Sequence, residues 1–307
     1  MGKLEGGITV NALLSNWQEP LRQDLTGRIA SIVIPLDGSG MSRAALPVAR
    51  TLAQLEHATL HVVYLGERLR GPRQTLEDLG LTATDVHGVV LDQLTGAPAE
   101  AIVNFTRQQQ APLIVMATHS AGPRSRAALG DIAEAVLSAS PPRIVLVSSE
   151  HEDKPWQLRR IVMAHDGTPT SDLSTALAAD LSRLSGAEVV ALHVAARQAS
   201  HPDLEPGSLP APRYVDQMQH EWPAWAGEFM ERMLTLGATP QAVNFKLLVT
   251  GGQPGSEIAQ FARDHHADLV VMTWQGRWRP RPGALKVVVR RSGCPVLLIR
   301  APHEPIG

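Results

Sequence analysis

"IVIPLDGSGMSRAALPVARTLAQLEHATLHVVYL", Ile32 to Leu65, returns 129 residues further on as "IVMAHDGTPTSDLSTALAADLSRLSGAEVVALHVAA", Ile161 to Ala196. Each copy opens with an apolar strand and turns at Asp-Gly-Ser/Thr. Each continues as a helix with Ala and Leu at helical spacing, and closes in an apolar strand carrying Leu-His-Val. The echo extends downstream. "GAPAEAI" (Gly96 to Ile102) matches "GQPGSEI" (Gly252 to Ile258), and "APLIVMATHS" (Ala111 to Ser120) matches "ADLVVMTWQG" (Ala267 to Gly276). "RIVLV" (Arg143 to Val147) matches "PVLLI" (Pro295 to Ile299). One unit of roughly 130–150 residues has been duplicated, a usual domain size.

Strand and helix alternate within each unit, which predicts a mostly parallel sheet with helices on both faces. The near-continuous apolar runs "LIVMA", "IVLV", "LVVM" and "PVLLI" suit strands buried on both sides. The expected division is an N-terminal helical extension over 1–28, a first domain over 29–150 and a second over 151–307. The boundary falls in the charged stretch "SSEHEDKPWQLRR". The offset between copies grows from 129 at Asp37/Asp166 to 156 at Met116/Met272, so the second unit carries an insertion. The proline-rich run around 197–224, with "QASHPDLEPGSLPAPRYVDQ", is its expected place, followed by a helix through "WAGEFMERML". The offset falls to 152 at Ile144/Val296, which shortens the loop after "LVVMTWQG".

Composition excludes several classes. With 307 residues, 44% hydrophobic and 19% charged, the chain reads as globular and soluble, not disordered. A formal net charge of −2 with scattered arginines gives no electrostatic case for nucleic acid or an anionic membrane. The single cysteine, Cys294, precludes an intramolecular disulfide framework and fits a cytoplasmic protein. No apolar run reaches the ~20 residues of a membrane span. Val10, Leu13, Leu14, Trp17 and Leu21 form one apolar helical face, and the opposite face lacks the basic row of a membrane-surface helix.

The order of "IVIPLDGS…AL", "LHVV", "GAPAEAI", "LIVMATHS", "LGDIAEAVL" and "RIVLV", occurring twice, resembles the universal stress protein domain. The resemblance spans nearly all of 29–149 and 158–301. It implies two tandem open α/β units with five-stranded, mostly parallel sheets, related to the adenine nucleotide alpha hydrolase-like folds. It also implies that the halves pair as an intramolecular pseudo-twofold dimer, with a homodimer of chains as a further option. One branch of the family binds ATP or AMP through a G-x-x-G-x9-G-[ST] loop and another lacks that loop.

Carried over by resemblance, the four loop positions fall on Ala117, Ser120, Gly130 and Asp131, and only Gly130 matches. The family's Ser/Thr donates to phosphate, whereas Asp131 can only accept. A carboxylate can cap a helix start, worth typically ~1 kcal/mol. Within ~4 Å of a phosphate, at an effective dielectric near 20, it would cost about 4 kcal/mol. The expectation is therefore a helix capped by Asp131 and a lost triphosphate grip. The adenine-side walls of the first cleft are expected from Pro35, Leu36, Asp37, Val62 and Met116, with His119 in the loop. In the second unit Asp166, Val194, Met272 and Gly276 match, while Thr273 replaces a glycine and Trp274 and Trp278 crowd the pocket. No cofactor is required by this reading; adenosine or AMP are the ligands the cleft could hold, with ATP disfavoured by Asp131. The functional expectation is a non-enzymatic stress-response or regulatory protein, and the alternative is an ATP/AMP-binding protein with slow ATPase activity.

Other clusters carry less. His265 and His266 are adjacent and point about 100° apart on a helix, poor for one metal. His61 and His193 are read as recurring at one position, near the cleft mouth. Cys294 reads as a buried structural thiol. Signatures for acyl transfer or adenylation are missing. The loop arginines Arg124, Arg126, Arg277, Arg279 and Arg281 read as solvated.

Overall fold

The computed structural model describes residues 28–66, 68–82, 84–119, 129–139, 141–148, 155–166, 171–196, 245–274 and 283–301. The N-terminal extension, the proline-rich run and the helix expected after it lie outside these residues. So do Ser120, Gly276, Trp278 and the five loop arginines. The chain divides into two compact units with the main break between Pro155 and Trp156, inside the charged stretch.

The first half comprises β1 (Ser31–Leu36), a short α1 (Gly40–Arg43), α2 (Leu46–Glu56), β2 (Thr59–Leu65) and α3 (Pro72–Leu79). After a 3-10 turn follow β3 (Val89–Leu94), α4 (Pro98–Arg107), β4 (Pro112–Ala117), α5 (Asp131–Ser138) and β5 (Arg143–Val147). Its strands lie in the order β3-β2-β1-β4-β5. The strand pairs β1–β2, β1–β4, β2–β3 and β4–β5 are all parallel. All six residues of β1 and all five of β5 are buried. A parallel sheet covered on both faces needs apolar residues at every position, which is why these strands read as continuous runs.

Because β1 is flanked by β2 on one side and β4 on the other, the chain reverses its direction of travel across the sheet there. In open α/β sheets such a switch opens a crevice beyond the carboxyl ends of the two strands. Leu36 and Ala117 end those strands.

The second half repeats the plan. It holds β6 (Arg160–Ala164), α6 (Asp172–Ser185), β7 (Glu188–Ala196), β8 (Phe245–Gly252) and α7 (Pro254–Asp264). It ends in β9 (Leu269–Trp274), α8 (Ala284–Arg291) and β10 (Val296–Arg300), with strand order β10-β9-β6-β7-β8. The connection from β2 to β3 spans 66–88, whereas that from β7 to β8 spans 197–244, so the extra residues of the second unit fall there.

Register corrects one sequence match. Ile32 faces Leu60 and Ile161 faces Val189, so Leu60 and Val189 are equivalent. By the same step His61 corresponds to Val190, and His193 to Tyr64. The Leu-His-Val echo is three residues out of step, and the two histidines do not share a position. Likewise Val62 corresponds to Ala191, and Val194 to Leu65. An apolar motif slides along an equally apolar strand without breaking the pattern, so the pattern alone could not fix the register.

Candidate functional site

In the first half a cleft of about 130 Å³, open to solvent, lies beyond the ends of β1 and β4. Pro35, Leu36 and Asp37 form one wall, and Met116, Ala117, Thr118 and His119 another. The first turns of two helices complete it, through Pro98 and Ile102 of α4 and Gly130, Ile132 and Ala133 of α5. Ser42 and Leu65 also line it, and no Lys or Arg does so among the described residues.

Of the expected wall residues, Val62 lies elsewhere. It is fully buried within β2, and Leu65, three residues nearer the carboxyl end, lines the cleft instead. Sequence reasoning also missed Ser42, Pro98, Ile102, Thr118, Ile132 and Ala133. Pro98 and Ile102 stand inside the repeated "GAPAEAI", so the signal was present as a repeat but not as a site.

The turn carrying Asp37 is held rigidly. Ser39 donates to Asp37 Oδ1 through both its backbone N–H (2.9 Å) and its hydroxyl (2.6 Å). Asp37 N–H donates in turn to Ser42 Oγ at 3.3 Å. Gly38 has φ +82°, and a Cβ there would lie 2.2 Å from the Asp78 carbonyl oxygen, so only glycine lets α3 close on this turn. The second half repeats one of these bonds: Asp166 N–H donates to Ser171 Oγ at 3.4 Å, at the same five-residue spacing. There Ser171 itself donates to the Asp166 carboxylate, at 2.5 Å. The serine five residues after each aspartate was legible in the repeat and was overlooked.

At the other wall the geometry corrects the expected cap. The N-cap of α5 is Gly130, and Asp131 is the exposed first residue of the helix. No side-chain cap bond is made. Asp131 at this position favours the helix dipole by about 0.3–1 kcal/mol, a milder role than capping. The Gly130 N–H is engaged: it donates to the Thr118 carbonyl at 2.8 Å, while Thr118 N–H donates to Val147 at the end of β5. The Gly130 peptide N–H is thus closed onto its own chain.

His119 completes the wall. Its Nδ1 lies 3.1 Å from Thr118 Oγ1, and its Nε2 is buried without a hydrogen-bond partner among the described residues. An unsatisfied buried polar atom costs about 1–3 kcal/mol.

In the second half Asp166 follows β6 and is exposed, and Met272 is buried near the end of β9. Val194, the counterpart of Leu65, is half-buried. The helix starts differ most. A Cβ on Gly255 in α7 would lie 2.8 Å from Ala284 Cα and 2.9 Å from Val287 Cβ in α8. The first turn of α8 is pressed onto that of α7, whereas the first turns of α4 and α5 border an open cleft.

His61 is the third residue of β2, its Nδ1 2.8 Å from Asp92 Oδ2 and its ring edge-on to Phe105. His193 Nδ1 meets the His165 carbonyl at 2.9 Å. Cys294 is buried, and burial pushes its thiol up to about 12, against a hydrogen bond from Ser292. Such a thiol is inert at neutral pH. Among the described residues no cluster of His, Cys, Asp and Glu is placed to hold a metal, and no helix is long and apolar enough to cross a membrane.

The sequence model of the universal stress protein family matches residues 67–148 and 157–300. This chain belongs to that family and carries two of its domains. A universal stress protein of Mycobacterium tuberculosis is 24% identical over 320 residues, covering 89% of this chain and 96% of that one. A single-domain relative from Thermus aquaticus is 33% identical over 135 residues, 38% of this chain and 97% of its own. The crystal structure of a putative universal stress protein from Pseudomonas aeruginosa shares the fold, with a TM-score of 0.65 at 16% identity, covering 90% and 95% of the two chains.

Proposed function

We propose that the first-half cleft accepts an adenosine-like ligand and has lost its grip on a triphosphate. The protein then acts as a stress-response regulator by binding, and not as an enzyme. The observation that carries this reading is the Gly130 N–H bonded to the Thr118 carbonyl at 2.8 Å. A phosphate drawing on that N–H would have to displace the bond, and among the described residues no cation lines the cleft to compensate. Asp37, fixed by Ser39, presents an acceptor to a ligand's hydroxyl or amino donors. Adenosine is expected to bind better than AMP, and AMP better than ATP.

Calorimetric titration with the three ligands tests this, on the wild type and on a variant combining Ala117→Gly, Ser120→Gly and Asp131→Ser. Recovery of ATP affinity in the triple variant supports the reading, and tight ATP binding by the wild type ends it. Incubation with ATP and Mg²⁺ separates binder from enzyme. Formation of ADP that disappears in Asp37→Ala would establish the ATPase alternative. The pairing of the halves about a pseudo-twofold axis and a cytoplasmic location belong to the same proposal. Cross-linking within monomeric chains and cell fractionation test them.

A further inference from the structure

We propose that the N-terminal segment 1–27 lays its apolar helical face on the amino half of β3 and covers that edge of the first-half sheet. The surface lies apart from the cleft, so the inference stands without the ligand reading.

β3 is the last strand on its side of the sheet, paired with β2 and with no other strand among the described residues. Its sequence, VVLDQL, is mostly apolar, yet none of its residues is buried, whereas every residue of β1 and β5 is. The carboxyl half of the strand is engaged. Asp92 Oδ2 meets His61 Nδ1 at 2.8 Å. The Gln93 amide brackets the backbone of Arg70, accepting from its N–H at 2.8 Å and donating to its carbonyl at 2.7 Å. Among the described residues no loop is fastened in this way to Val89, Val90 or Leu91, and Val90 is 42% exposed. A bare apolar edge invites pairing with other chains, and folded proteins cover it with a helix or loop, or charge it.

The segment ends within reach of this patch. Arg28 enters β1 at the amino end of the sheet, and its Nε donates to the Glu56 carbonyl at 2.7 Å, at the turn into β2. Val90 is level with Val33, through His61 between them. Two strand spacings, about 10 Å, separate β3 from β1, and four residues along the strand add about 13 Å from Ile29 to that level. Residues 22–27 span about 20 Å when extended. The stripe of Val10, Leu13, Leu14, Trp17 and Leu21 covers twelve residues, about 18 Å as a helix, close to the length of β3. So short a helix is marginal alone in water, and its apolar face needs a partner. Leu69, the other large apolar residue exposed in the first half, follows the carboxyl end of β2, at the far end of the sheet.

The test reads the accessibility of a thiol placed on the edge. Cys294 is buried, with its thiol pushed up to about 12, so in the folded chain a maleimide reports only an added cysteine. Full-length Val90→Cys should label about tenfold more slowly than Leu184→Cys, a position of similar exposure in α6, at 45%. Adding Leu13→Asp and Trp17→Asp, which charge the stripe, should raise the Val90→Cys rate to that of Leu184→Cys and leave Leu184→Cys unchanged. Continued silence of Cys294 shows that each variant is folded. The protection should hold across about a hundredfold range of protein concentration. Equal labelling of Val90→Cys and Leu184→Cys in the otherwise unaltered chain overturns the proposal. So does protection that survives the two aspartates, which means that another segment covers the edge, or protection that fades on dilution, which means that a second copy does.

Discussion

The two halves solve the same packing problems with different chemistry. At the amino ends of the first-half strands two side chains of opposite charge are buried: Glu56 and Arg143 are both 1% exposed. Arg143 donates to the Ala111 carbonyl at 2.8 Å, and Ile29 N–H approaches Glu56 Oε2 at 3.4 Å. The equivalent positions in the second half are Ser185 and Pro295, both neutral. There the charges sit nearer the surface, where Glu188 meets Arg160 at 3.1 Å and also Lys246, tying three strands together. His61, packed on Phe105, and Asp92 correspond by register to Val190 and Leu248. At the other end of the sheet the first half keeps an open cleft, while in the second Gly255 lets α8 sit down on α7. Duplication preserved the sheet and let both ends of it diverge.

Removing one member of the buried pair should have the largest effect. Arg143→Ala strands a buried carboxylate and is expected to cost about 3–5 kcal/mol by urea denaturation. The double variant Glu56→Gln with Arg143→Met imitates the neutral second half and should return to within about 1 kcal/mol of wild type. A double variant as unstable as the single one would show that the pair is more than a tolerated charge.

Next is the helix contact. Gly255→Val forces backbone apart at 2.8 Å and should cost about 1–3 kcal/mol. Ala99→Val, at the equivalent place in α4, should cost less than about 1 kcal/mol. Equal costs would erase the contrast between the clefts.

The acid response should have opposite signs in the two halves. Burial holds the Glu56 carboxyl above the usual range, despite the Ile29 N–H, Arg143 and Arg28. A raised value means its contribution is present below the unfolded-state value and is lost as pH rises through the folded one. Hydrogen bonding and charge from Lys246 and Arg160 hold Glu188 below the usual range. Its contribution is present above the unfolded-state value and is lost as pH falls through the folded one. Thermal midpoints followed from acid to neutral pH should flatten in opposite senses in Glu56→Gln and Glu188→Gln. Smallest is the His61–Asp92 pair: His61→Val with Asp92→Leu should stay within about 1 kcal/mol, with a coupling of about 0.2–1 kcal/mol in the cycle.

These contrasts mark what a sequence can carry. The strands and their parallel arrangement were legible because apolar runs and their order follow from burial on both faces, while the cleft was expected only through the family resemblance. Pro35, Leu36, Asp37, Met116, Ala117, His119 and Gly130 were expected at one site, and all seven line the cleft. Register was not legible, which is why Val62 was chosen over Leu65 and His61 was matched to His193. The bond closing Gly130 onto Thr118 was equally hidden, since backbone hydrogen bonds leave no trace in residue identity. The cap was misplaced by one residue, because Asp131 is a good cap by type and only backbone geometry gives that role to Gly130.

The central claim is that one half keeps a nucleoside-accepting cleft without a phosphate grip and the other has closed its own. The methyls of Met116 and Met272, at equivalent positions near the ends of β4 and β9, report on the two places separately. Adenosine titrated into methyl-labelled protein should shift Met116 alone, saturating at one equivalent per chain, and ATP should shift it only at higher concentration. Equal, saturable shifts at Met272, or tighter binding of ATP than of adenosine at Met116, would contradict the account.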